Sequence, residues 1–161
     1  MEDVLNATLA GGVIIGAPSG LVTNPAAALA IGFIGGAISA LCFAKLGPKL
    51  KEAINLHDTC GVHNLHGIPG ILGGILSAIV VAAYQSQPMD KNIQGFLAFY
   101  KGNTDTRDLS GQAGIQLAGT FISLGIALGA GLISGLFIRC GITLTNEELY
   151  EDKIFFIVPD E

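Results

Sequence analysis

Long hydrophobic runs that contain no Asp, Glu, Lys or Arg dominate this sequence. They are residues 4–44, 59–89 and 109–138. A helix of about 20 apolar residues crosses the roughly 30 Å hydrocarbon core of a bilayer, and each run is long enough for that. Helices are expected because a backbone in lipid must satisfy its own hydrogen bonds, and the runs lack the alternation of barrel strands. The pattern therefore predicts an all-α integral membrane protein.

Turn residues divide the runs into four hydrophobic helices. They are predicted at about 4–17, 25–45, 59–84 and 111–138, followed by a tail at 142–161. The first helix is truncated, because 14 residues reach only about 21 Å along a helix axis. Pro18-Ser19-Gly20 predicts a turn after it. The transmembrane region is thus predicted to occupy 1–141.

The second predicted helix carries clear signals at both ends. Thr23 or Asn24 can cap it, and Pro25 suits its first turn, where no hydrogen bond is lost. Gly47-Pro48 is expected to stop it.

The third and fourth predicted helices have similar signals. Asp58 is a natural N-cap for the third helix, and Pro69 is expected to kink it. The fourth follows Ser110, with Arg139 in its last turn and Gly141 as its C-cap signal.

The few basic residues predict an orientation. Three lysines lie in the short connection at 46–57 or directly before it, which favours a cytoplasmic position for it. They are Lys45, Lys49 and Lys51. Four spans then place 18–24 and 85–109 outside, and the tail 142–161 in the cytoplasm.

Composition excludes several other classes of protein. Charged residues make up 13% of the chain, about half the share in soluble domains, so an ordinary soluble domain is excluded. The net charge is −5. Eight scattered Lys and Arg make no basic face for nucleic acid.

The 23 glycines include pairs four residues apart, such as Gly32/Gly36 and Gly70/Gly74. Such pairs allow close helix contact, either within one bundle or across an oligomer interface.

All three histidines of the chain lie in one short segment. His57, Cys60, His63 and His66 are spaced three residues apart, and these residue types bind zinc or copper. On an α-helix, however, they would fan out through about 180°. We therefore predict no metal site and no cofactor. No nucleophile–base pair or carboxylate dyad occurs in a span, so no catalytic residue or enzyme activity is predicted.

A spacing of four residues gives a different prediction. Asp58, Val62 and His66 would form one ridge of a helix, with His66 about 12 Å along the axis from Asp58. A titratable side chain at that depth should face a bundle interior or a cavity. Desolvation favours a neutral imidazole, which suits NH₃, water or CO₂ better than a bare ion. His66 is thus a candidate pore residue, or alternatively a packing residue bonded to a neighbouring helix.

Three further polar residues are candidates for helix packing or for a vestibule: His63, Asn6 and Asn64. His63 should point about 90° away from the ridge. Asn6 lies in a glycosylation sequon at the end of a span, where a hydrogen bond to a neighbouring helix is the better expectation. Asp58 could equally be a cap with no further role.

The segment Asp-Thr-Cys-Gly-Val-His-Asn-Leu-His-Gly-Ile-Pro-Gly, at 58–70, resembles the signature of the Rh-type (Rhesus glycoprotein) branch of the ammonium transporter superfamily. Residues 6–12, 94–96 and 150–160 agree with that branch in order and spacing. The resemblance covers essentially the whole chain, but only the C-terminal half of the family's fold.

The resemblance implies a fold, an assembly and a function. Family members have eleven or twelve spans in two inverted halves, form trimers and conduct ammonia through a pore in each subunit. His66 would be the second of two pore histidines, Asp58 the acidic residue of the second half, and Val62 a position on the pore wall. The plasma membrane and a cytoplasmic C-terminus are also implied.

The first half of the family's fold has no counterpart in this chain. The partner histidine, the first acidic residue and the outer aromatic gate belong to that half. We therefore expect a fragment, or a split subunit that needs a partner chain, conducting NH₃ only when combined with the N-terminal half. The alternative is a non-transporting structural or assembly subunit of a membrane complex.

Overall fold

The computed structural model describes residues 2–83 and 109–141, and every regular element within them is helical. The predicted all-α class is confirmed. The tail 142–161, most of the predicted outer loop and the stretches at 94–96 and 150–160 lie outside the described residues. The end of the membrane region after residue 141 therefore stays a prediction.

The first helix, α1, spans Glu2–Gly16. A turn follows, in which the carbonyl oxygen of Pro18 accepts hydrogen bonds from the N–H groups of Leu21 and Val22 at 2.8 and 3.0 Å. The next helix, α2, spans Pro25–Leu41. The predicted capping by Asn24 is confirmed, because its side-chain oxygen accepts from the N–H groups of the second and third residues of α2.

The second helix does not stop at Gly47-Pro48, so the helix end expected there is wrong. After α2 comes a widened turn at Cys42–Leu46, the first π-turn, and then α3 at Gly47–Ile54. In the π-turn the N–H of Gly47 reaches the carbonyl of Cys42, five residues earlier. This wider turn makes room for the ring of Pro48, which would clash in a regular α-helix. The helical run ends at Asn55, which is left-handed with φ 53°.

The third helix begins later than expected at residue 59. A turn precedes it, closed by a 3.1 Å hydrogen bond from the N–H of Gly61 to the carbonyl of Asp58. The helix opens with the second π-turn, His63–Gly67, and continues as α4, Ile68–Ala83. The cause of the late start is Gly61, whose φ of +66° is incompatible with a right-handed helix.

The chain forms two compact units, Met1–Leu124 and Gly125–Glu161. The last described helix, α5, spans Leu109–Gly141, with Arg139 in its last turn as expected. In the first unit, Thr120 of α5 lies against Gly74 of α4. In the second unit, the described side chains of α5 are almost all exposed.

Three of the described helices are long and apolar enough to cross a membrane. They are Pro25–Ile54, His63–Ala83 and Gly111–Gly141. The helix α1 is apolar but shorter, in line with the prediction of a truncated first helix.

Glycines allow the close contact of α1 with its neighbours. A Cβ built on Gly11 would lie 2.7 Å from the carbonyl oxygen of Gly32, and one on Gly36 would lie 2.7 Å from that of Ala7. A Cβ built on Gly73 of α4 would likewise lie 2.7 Å from the carbonyl oxygen of Ile14. The predicted Gly32/Gly36 pair is thus used for packing within the bundle.

Candidate functional site at the histidine segment

The carboxylate of Asp58 holds the start of the histidine-bearing helix. Its Oδ1 accepts a hydrogen bond from the N–H of Val62 at 2.9 Å, and its Oδ2 accepts one from the N–H of His63 at 2.8 Å. Both N–H groups belong to the first turn of the helix, where no backbone carbonyl is available to them. Asp58 therefore caps the helix from four and five residues away rather than from the adjacent position.

The predicted ridge of three residues is wrong in one member. Asp58 lies outside the helix, so only Val62 and His66 share a helical face. His66 therefore lies about one turn from the start of the helix at Val62, not the two turns expected when the helix was counted from residue 59.

The residues in and next to the second π-turn lie on two faces, one buried and one exposed. Asn64 and Leu65 are buried, with 4% and 7% of their surfaces exposed. Val62 is 53% exposed, and His66 is exposed beside it. The imidazole of His66 therefore lies on the outside of the bundle that the described helices form, where a ligand or another protein segment could reach it.

The other candidate ligands do not converge on His66. His57 is exposed and lies outside the helix, with its Nε2 3.1 Å from Oδ1 of Asn55. His63 is half-buried, with its Nδ1 3.4 Å from Oδ1 of Asn64. Within residues 2–83 and 109–141, no three His, Cys, Asp or Glu side chains are grouped so as to hold a metal ion. Asn6 is half-buried on a different helix, α1.

Sequence reasoning did not predict the contact of Ser39 with this segment. The hydroxyl of Ser39, on α2, donates a hydrogen bond to the backbone carbonyl of Asn64 at 2.9 Å. The available signal was Pro69, because a proline inside a membrane helix removes a donor that a Ser or Thr of a neighbouring helix often replaces. The sequence does not reveal which helix supplies that hydroxyl.

Comparison with known proteins gives one family. The model described as Ammonium Transporter Family matches residues 1–154 of this chain. The chain is also similar to proteins named ammonium transporter Rh type C in Rattus norvegicus, 40% identical over 167 residues, and in Xenopus tropicalis, 35% identical over 168 residues. It is 38% identical over 164 residues to ammonium transporter Rh type B of Mus musculus.

These alignments are unequal in coverage. Each includes 100% of this chain but only 33% to 35% of the relative. The chain therefore spans about a third of the length of the curated relatives that it matches.

Proposed function

Because this chain belongs to the ammonium transporter family, and within it to the Rh branch, we propose that it is the C-terminal half of an ammonia channel. In this proposal NH₃ passes His66, and conduction requires the N-terminal half of the fold. The family consists of transporters rather than enzymes, so transport is the class of activity to test.

The exposure of His66 is the observation that carries the proposal. A histidine in a membrane span is costly against lipid and is normally directed to a cavity or to another protein segment. Here the imidazole and the neighbouring Val62 lie on the outer face of the bundle that the described helices form. This arrangement supports a pore wall of which this chain forms one side and other residues form the opposite side.

The chemistry of the imidazole fits ammonia. A neutral imidazole has one donor and one acceptor nitrogen, so it can hydrogen-bond NH₃ or water without having to compensate a full charge. If ammonium releases its proton before the narrow part of the path, the molecule that reaches His66 is NH₃, which a neutral imidazole can bind. CO₂ is a second small molecule that the same path could admit.

We assign different roles to the neighbouring candidates. Asp58 acts through the helix, since both of its carboxylate oxygens accept bonds from backbone N–H groups. Val62 contributes apolar pore wall next to His66, and Asn64 packs between helices. His63 and Asn6 belong to the packing or vestibule group.

The remainder of the assembly is part of the same proposal. The opposite pore wall comes from the N-terminal half of the fold, on the same gene product or on a partner chain. The complex is a trimer with one pore in each subunit. The complex lies in the plasma membrane, with the tail 142–161 in the cytoplasm.

The experiment is native mass determination of the membrane complex isolated through this chain, followed by identification of its members. The proposal expects a partner, or a longer form of this protein, that supplies the other spans and a second intramembrane histidine. A complex that contains this chain only among unrelated membrane subunits would contradict the proposal. It would instead support the structural or assembly role.

A further inference from the structure

The carbonyl oxygen of Asn64 has no backbone donor within its own helix. In the second π-turn, the N–H of Ile68 bonds to the carbonyl of His63, five residues earlier. The next donor in this register would be residue 69, but Pro69 has no N–H. Since Asn64 is buried, an unpaired carbonyl here would be costly.

Ser39 supplies the missing donor from another helix. Its hydroxyl lies 2.9 Å from the carbonyl oxygen of Asn64, and the two residues are 25 positions apart in the sequence. Ser39 itself is 0% exposed. The bond is therefore shielded from water and joins α2 to the second π-turn.

This bond influences which carbonyl the N–H of Ile68 selects. In a regular α-helix, Ile68 would bond to Asn64, four residues earlier, whereas in the π-turn it bonds to His63. With the hydroxyl of Ser39 on the Asn64 oxygen, Ile68 can reach His63 without leaving the Asn64 carbonyl unpaired. The ring of Pro69 needs this wider turn, as the ring of Pro48 does after the first π-turn, and the bond from Ser39 supports the π register by satisfying the carbonyl that it leaves without a donor.

The register determines the direction of the side chains in this turn. A π-turn holds one more residue than an α-turn, so its loss would rotate the segments on its two sides relative to each other by about 100°. His66 lies inside the turn, and Val62 comes directly before it. A change of register would therefore turn the proposed pore face relative to α4.

We propose that Ser39 is a positioning residue for His66, whose hydroxyl holds the second π-turn and with it the direction of the imidazole. The inference rests on the proposed function, in which His66 faces the path of ammonia. Ser39 acts through the backbone of Asn64 and does not itself contact the substrate.

The test uses the complete membrane complex that contains this chain, reconstituted in lipid vesicles. Ammonia flux is measured for Ser39→Ala, Pro69→Ala, the double variant and His66→Ala. Ser77→Ala is the matched control, because Ser77 is a buried serine more than two turns beyond the π-turn. Amide hydrogen exchange across His63–Ile68 is measured on the same samples.

The expected result is a double-mutant cycle in which ammonia flux depends on Ser39 when residue 69 is proline, but not when it is alanine. Ser39→Ala alone should lower flux about ten-fold and speed exchange in the turn, because the buried carbonyl loses its donor. In the Pro69→Ala background, residue 69 offers an N–H, so Ser39→Ala should change flux by no more than about two-fold. Ser77→Ala should leave both readouts near wild type.

Three results would overturn the inference, and they are distinguishable. Normal flux in Ser39→Ala, beside lost flux in His66→Ala, would overturn the positioning role alone and leave the proposed function standing. Normal flux in His66→Ala would overturn the proposed function and the positioning role together. An equal loss of flux from Ser39→Ala with and without Pro69 would also overturn the role, since the missing donor would then be irrelevant.

Discussion

The ring of Phe43 lies directly against Gly61, at the place where a side chain on Gly61 would begin. Phe43 belongs to the first π-turn, whereas Gly61 forms the turn that leads into the histidine-bearing helix. Gly61 also has a φ of +66°, a conformation that L-residues with a side chain rarely adopt. This one position thus needs glycine for two independent reasons.

We predict that Gly61→Ala destabilises the protein by about 2–4 kcal/mol, from backbone strain together with the clash against Phe43. Thermal unfolding of the complex in detergent measures the effect. Gly70→Ala is the control, because a Cβ on Gly70 would have no other atom within 4 Å and its backbone is helical. That substitution should leave stability unchanged or raise it by up to about 1 kcal/mol.

A double variant separates the two causes. Phe43→Leu combined with Gly61→Ala should recover the steric part of the loss but not the part due to φ. Equal stability of Gly61→Ala and Gly70→Ala would contradict both the left-handed backbone at residue 61 and the close contact with Phe43.

Substitution of Asp58 tests the cap on the histidine-bearing helix. Asp58→Ala should cost about 1–2 kcal/mol and speed hydrogen exchange at the amides of Val62 and His63, which lose their acceptors. Asp58→Asn keeps one acceptor oxygen and should give an intermediate result.

Asn24→Ala is the matched control for Asp58, because Asn24 caps α2 through its side-chain oxygen. It should lower stability by about 1 kcal/mol without changing exchange at Val62 and His63. If Asp58→Ala left exchange at those two amides unchanged, the bidentate cap would be disproved.

The contact between α1 and α2 predicts opposite outcomes for two adjacent glycines. Gly11→Ala should destabilise the protein by about 1–3 kcal/mol, because the new Cβ would lie 2.7 Å from the backbone oxygen of Gly32. Gly12→Ala should be neutral or stabilising, since a Cβ there would have no other atom within 4 Å. The measurement is thermal unfolding, and equal losses from both substitutions would contradict the packing.

Local signals in the sequence were sufficient for much of the fold. Uncharged runs predicted helices, and Asn24 with Pro25 marked the start of α2, because hydrophobicity and capping depend on neighbouring residues. The helix end predicted at Gly47-Pro48 was wrong; it was expected because a proline normally ends a helix. The first π-turn accommodates the ring, and such a turn has no comparable signal in the sequence.

The candidate site was predicted in its residue types but not in its geometry. The spacing of Val62 and His66 indicated a shared face, and both residues are exposed. The helix start was misplaced because Asp58 reaches amides four and five residues ahead across a turn at Gly61. The role of Ser39 depends on which helices are neighbours, and that information is not local.

Ammonia flux through the assembled complex, measured with His66→Ala, tests the central claim most directly. His57→Ala is the control, since it replaces another histidine of the same segment that lies outside the helix. The account predicts that His66→Ala lowers flux about ten-fold or more, through loss of the hydrogen bond to the passing molecule, while the complex stays intact and His57→Ala conducts normally. Equal flux in the two variants, in complexes of unchanged mass, would contradict it.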